Sequence, residues 1–157
     1  ERTFVMKTEL TFEGFEDLLQ AFNQAASEEE ITQVDMRIID QAKEFVYRSM
    51  KQKVPQSANN AKSGRGMKGG GESRPRHGHA RANIPVSKLK KSKGGVSCDI
   101  GWDLNDNSEY FYMKFVNWGT IHTPPRDFVD STRNEADAQL QRLAESEYQK
   151  FLNTKLR

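Results

Sequence analysis

The sequence predicts an α+β fold: a small, mostly antiparallel sheet with two long amphipathic helices and a long flexible basic loop. Three observations predict it. A capping box, Ser27 to Glu30, opens a stretch whose apolar residues recur at helical spacing. A second helical stripe runs from Val129 to Phe151. Between the two, apolar and polar residues alternate on either side of Gly94 and Gly95, the pattern of a hairpin. At 157 residues the chain has the length of a single domain, 1–157, with one core.

In chain order, Phe4, Met6, Thr8, Leu10 and Phe12 alternate with polar neighbours and predict a strand that Gly14 ends. Phe15, Leu18, Leu19 and Phe22 then predict a short amphipathic helix closing near Ala26. In the long helix after Ser27, Ile31, Val34, Ile38, Ile39, Ala42, Phe45, Val46 and Met50 fall in one sector about 160° wide. Asp35 is the intruder on that face, Lys51 and Lys53 lie in the last turn, and Pro55 stops the helix. Residues 55–83 hold Gly64, Gly66, Gly69, Gly70, Gly71 and Gly78 with almost no apolar side chain, the composition of a flexible loop.

Ile84, Val86 and Leu89 lead into a lysine cluster and the Gly94–Gly95 turn; Val96, Cys98, Ile100 and Trp102 alternate after it. The aromatic block from Tyr110 to Trp118 reads as a third strand, with helix the alternative over its first half. Phe111, Met113 and Phe115 would lie on one face, and Tyr110, Tyr112, Val116 and Trp118 on the other. Pro124 and Pro125 suit the first turn of the final helix.

Charge is segregated. Residues 1–50 carry net −6, residues 51–93 net +11 and residues 94–157 net −3, although the chain as a whole carries only +2. The basic island, with Lys62, Arg65, Lys68, Arg74, Arg76, Arg81, Lys88, Lys90, Lys91 and Lys93, offers contacts to DNA or to an acidic protein partner. A solvated loop kept soluble by its charge is the plain alternative. A hydrophobic fraction of 35% and mean hydropathy of −0.84 leave little for a compact enzyme core and fit a chain that reserves surface for partners.

Catalytic motifs are missing: there is no phosphate loop, no G-x-S-x-G, no H-E-x-x-H and no spaced cysteine set. His77 and His79 are two imidazoles without further spaced ligands, so no metal and no cofactor is expected. Cys98 reads as a small core hydrophobe, and a single cysteine fits a reducing compartment. His122 has no evident nucleophile beside it. No apolar run reaches the ~20 residues of a membrane helix.

The segments HARANIPVSKLKKSKGGVSCDIGW, EYFYMKFVNWGT and PPRDFVDSTRNEA resemble the tail-completion (neck) proteins of long-tailed bacteriophages, with the likeness covering most of residues 14–152. Trp118, Gly119 and Thr120 match the family's aromatic-Gly-Thr positions, and Pro125, Arg126 and Phe128 match its link to the last helix. Asn117 stands where the family usually has an acidic residue, which removes the charge for an ion pair there. The resemblance implies a non-enzymatic minor structural protein of the virion neck, assembled in the bacterial host cytoplasm as a homo-oligomeric, hexameric ring around a DNA channel. Its partners would be the head connector or stopper and the tail terminator or tail-tube proteins. Under it, Tyr110, Tyr112 and Trp118 become candidate interface aromatics, and Arg126 a turn-locking or intersubunit contact. Tail termination within the same assembly, and nucleic-acid binding through residues 51–93, are the alternative functions.

Overall fold

The computed structural model describes residues 16–56, 79–93 and 95–155. The elements run α1 (Glu16–Ala25), α2 (Glu28–Lys53), a 3-10 turn (Ala80–Ala82), β1 (Lys90–Ser92), β2 (Gly95–Ser97), α3 (Met113–Trp118) and α4 (Phe128–Lys155). The fold is α+β, with two long helices and a small antiparallel sheet. The strand expected over residues 4–12 lies outside the described residues. So do Lys62, Arg65, Lys68, Arg74, Arg76 and His77, and with them most of the expected flexible loop.

Helix α2 begins as its sequence dictates. Ser27 Oγ accepts from the Glu30 amide at 3.3 Å, and Glu30 Oε2 accepts from the Ser27 amide at 3.0 Å. The box satisfies two groups at the helix start that have no helical partner. Glu28, Glu29 and Glu30 complement the positive end of the helix, Lys51 and Lys53 the negative end. With 26 residues α2 spans about 39 Å, and it is the beam on which the other elements rest.

Helix α4 lies antiparallel to α2, and three polar rungs fix the direction. Lys53 and Ser49 both bond the Glu135 carboxylate, joining the end of α2 to the start of α4. Tyr148 donates its hydroxyl to Asp35 Oδ1 at 2.5 Å, and Lys155 meets Glu30 at 2.5 Å near the opposite end. Residues are buried every fourth position along α4, at Phe128, Thr132, Ala136, Leu140 and Ala144, and of these Leu140 and Ala144 pack with Val34, Ile38 and Ala42 of α2. Asp35, the intruder on the apolar face, is thus the acceptor for a half-buried tyrosine.

The buried side chains sort into two clusters instead of the single core expected. Phe22 of α1 closes the first, with Val34, Ile38, Ala42, Leu140, Ala144 and Leu152. Its ring stacks against Tyr148 and Phe151, with centroids 4.6 and 5.0 Å away. The second, at the other end of the helix pair, joins Met50, Val54, Ala80, Ile84, Trp102, Met113 and Phe128. Those residues come from five separate stretches of chain, and they position the candidate site.

Among the described residues the sheet is smaller than the sequence suggests. β1 and β2 pair in register Lys90↔Ser97, Lys91↔Val96 and Ser92↔Gly95, with Gly95 at φ 120 just after the turn. An isolated bridge, Val86↔Ile100, prolongs the ribbon without making a longer strand. The third strand is replaced by a turn and then by helix α3. Met113 and Asn117, four residues apart, are both buried, while Tyr110, Tyr112 and Val116 pack on the second cluster. Packing at helical spacing overrides the strand propensity of the aromatic run. The helix that does form takes the later half of the block, not the earlier half to which the sequence confined that alternative. The proline pair lies ahead of α4 and outside its first turn.

Burial pushes the Asp35 carboxyl above its ordinary 3.8, and the Tyr148 hydroxyl draws it partly back. A carboxyl raised in the folded state binds its proton more readily there than in the unfolded chain, so its contribution to stability falls as pH rises through the folded pKa. Asp35→Asn removes that titration and keeps an acceptor for Tyr148. Urea unfolding should therefore show the variant gaining on the wild type as pH rises above the ordinary carboxyl value of 3.8; a difference that stays constant or shrinks contradicts the assignment.

Candidate assembly interface

The segment from Asn117 to Val129 is a closed loop whose base is one buried side chain. Asn117 is 1% exposed. Its main-chain oxygen accepts from the amides of Arg126 and Asp127, both at 3.1 Å, and its Oδ1 accepts from the Val129 amide at 3.0 Å. Val129 is the second residue of α4, so Asn117 supplies from a distance the acceptor that an N-cap residue ordinarily supplies in sequence. The local chain cannot do so in the usual extended form, because Asp127 sits at φ 47. An acidic residue at position 117 would offer the same acceptor to the same helix terminus. The requirement here is an acceptor, and an ion pair is not needed for it.

Gly119 closes the other side. It ends α3 at φ 76, where glycine commonly terminates a helix. A Cβ there would lie 2.8 Å from Thr123 O and from Pro125 N, both backbone atoms, so conformation and space each demand glycine. Thr120 then builds the tip. Its amide donates to Thr123 O at 2.8 Å, and its Oγ1 accepts from the amides of His122 and Thr123 at 3.2 and 3.1 Å. Such a hydroxyl-held turn leaves its two central residues, Ile121 and His122, projecting outward. Ile121 is 94% exposed.

The residues singled out from the sequence therefore play different parts. Trp118 is the half-buried last residue of α3. Phe128, 2% exposed, anchors the loop in the second cluster, edge-on to Trp102 at 6.5 Å. Pro125 and Arg126 are exposed, and among the described residues the Arg126 guanidinium has no bonding partner, so its link to the turn is through its amide. Tyr110 and Tyr112 are not an outward face: both pack on the second cluster, and burial raises both phenols. The aromatic that does face outward is Phe115, 47% exposed, a consequence of helical rather than alternating geometry.

The basic residues divide likewise. Lys88, Lys91 and Lys93 are exposed on and around the hairpin, whereas Lys90 is paired with Asp99 at 2.5 Å. Arg81, expected in a flexible loop, is held at the end of α2. Its Nε donates to Lys51 O at 2.5 Å and its Nη2 to Gln52 O at 2.7 Å. Arg81, Arg48, Lys51 and Gln52 line an open depression of about 380 Å³. Sequence reasoning overlooked Arg48, whose only signal was its place one turn before Lys51. Cys98 is half-buried and donates to Ser87 O at 3.2 Å. Among the described residues no group of His, Cys, Asp and Glu could hold a metal ion, and no helix is long and apolar enough to cross a membrane.

Gly119→Ala should cost about 1–3 kcal/mol from the left-handed backbone alone. Asn117→Ala, which strips the amide of Val129 of its acceptor, should cost about 1–2 kcal/mol. Chemical denaturation of both variants checks these values, and wild-type midpoints would refute the locked base.

No protein-family model, no curated protein and no solved structure matches the chain.

Proposed function

We propose that the chain is a non-enzymatic structural subunit of a bacteriophage neck, acting in tail completion or head-tail joining as one member of a homo-oligomeric ring around a DNA channel. The observation that supports this reading is the loop from Gly119 to Asp127. The residues that carry the resemblance, Trp118, Gly119, Thr120, Pro125, Arg126 and Phe128, lie in it or flank it, and Asn117 holds it from inside. Its tip exposes an isoleucine to solvent.

A rigid loop with an apolar tip is suited to a subunit contact, because its ordering cost has been met before association. Burying one isoleucine completely contributes about 1.5–3 kcal/mol, and in a closed ring every interface repeats that gain. The role is geometric: the loop sets where the next subunit sits. Tail termination uses the same kind of ring at a neighbouring position, and the two are separated by what accumulates without the protein. Unjoined full heads beside finished tails mark a joining defect, and overlong tubes mark a termination defect.

Ile121→Asp and Arg126→Ala replace exposed side chains that lack a role in the fold described above, so both variants should keep the wild-type circular dichroism and melting curve. Native mass spectrometry should show Ile121→Asp as monomer where the wild type forms rings, and virion yield should fall with it. Rings of wild-type size from Ile121→Asp, with normal head-tail joining, would sink the interface assignment.

A further inference from the structure

The end of α2 exposes carbonyl groups that have no helical partner, and Arg81 reaches back to take them. Besides its bonds to Lys51 O and Gln52 O, its Nη1 donates to Gln56 Oε1 at 3.3 Å. A guanidinium has five N–H donors, so two remain on the terminal nitrogens once these three bonds are made. Arg48 and Lys51 stand beside it, three residues apart on α2 and therefore on one side of the helix. The Lys51 ammonium lies 5.7 Å from the centre of the Tyr47 ring, an attractive contact, and among the described residues it has no carboxylate partner. Among the described residues, none that lines the depression is acidic.

We infer that this depression seats a backbone phosphate of a nucleic acid. Two guanidinium groups and one ammonium converge there from segments about thirty residues apart in sequence, and like charges held together favour an anion between them. Guanidinium forks match phosphate oxygens, and the fork of Arg81 is already fixed by the helix end. A nucleic acid fits better than an acidic protein segment because the positive charge continues outward. Lys88, Lys91 and Lys93 are exposed on the ribbon whose strand β2 packs on α2, so successive phosphates of one strand can be met. Among the described residues the lining offers one side-chain amide, that of Gln52, and no aromatic ring to read or stack a base, so binding is independent of sequence. The inference holds for the single chain and does not depend on ring formation.

The test uses the full chain and a fluorescent mixed-sequence oligonucleotide, single-stranded and duplex, titrated across a salt series by anisotropy. Arg48→Gln with Lys51→Gln alters two exposed side chains outside both buried clusters, and Lys53 remains in the last turn of α2 to complement its negative end. The double variant should bind at least about tenfold more weakly at low salt, with a salt slope smaller by about two. Lys150→Gln, an exposed site at the opposite end of the helix pair, should bind as the wild type does. Equal binding by the double variant would overturn the inference, as would displacement of the oligonucleotide by polyglutamate at matched charge. Native mass spectra of the same samples should show unchanged assembly, which separates a failed phosphate seat from a failed ring.

Discussion

One buried asparagine decides how the second half of the chain meets the first. Asn117 gathers three backbone amides, those of Arg126, Asp127 and Val129, and so fixes the point at which α4 can begin. Without that acceptor the first turn of α4 would bury a donor against apolar neighbours, at a cost comparable to a lost cap. With it, Phe128 enters the cluster beside Trp102, α4 runs back along α2, and the nine residues between α3 and α4 are forced outward as a loop. The exposure of Ile121 and the burial of Phe128 are two results of the same set of bonds.

The helix pair carries the two candidate surfaces at the end where Met50, Val54 and Phe128 are buried. Apart from the buried Ser49, its polar rungs are exposed or half-exposed, so they set direction and register more than they add stability. Most of the adhesion comes from the larger buried side chains, Phe22, Val34, Ile38, Leu140 and Leu152, with Ala42 and Ala144 filling the space between them. The loop with Ile121 grows from the junction of α3 and α4, and the basic depression lies where α2 ends. A subunit contact and a polyanion contact can thus coexist without sharing a residue.

Helices were legible because their signals are local. Ser27 and Glu30 write the start of α2 within four residues, Pro55 writes its stop, and paired glycines write the hairpin. The aromatic block was misread because Tyr, Phe and Val satisfy a two-residue period as well as a helical one over so short a run. Gly119 was the available correction, since a glycine directly after an apolar run marks a helix end as readily as a strand exit. Within the site, the turn at Gly119 and Thr120 was legible. The cap from Asn117 to Val129 and the clamp from Arg81 to the end of α2 were not, because each joins residues that only the folded chain brings together. The charge of the basic island pointed toward a polyanion, but Arg48 lay outside its boundary and needed the structure to place it.

Hydrogen exchange under native conditions tests the locked loop most directly. Arg126 and Asp127 are exposed residues, and an ordinary surface loop would exchange their amides within seconds of dilution into heavy water. The amides of Arg126, Asp127 and Val129 should be protected as strongly as the interior of α4, while Ile121, at the free tip, exchanges fast. Rapid exchange at Arg126 and Asp127 alongside a protected α4 would contradict this, because the loop would then be tethered only by its ends.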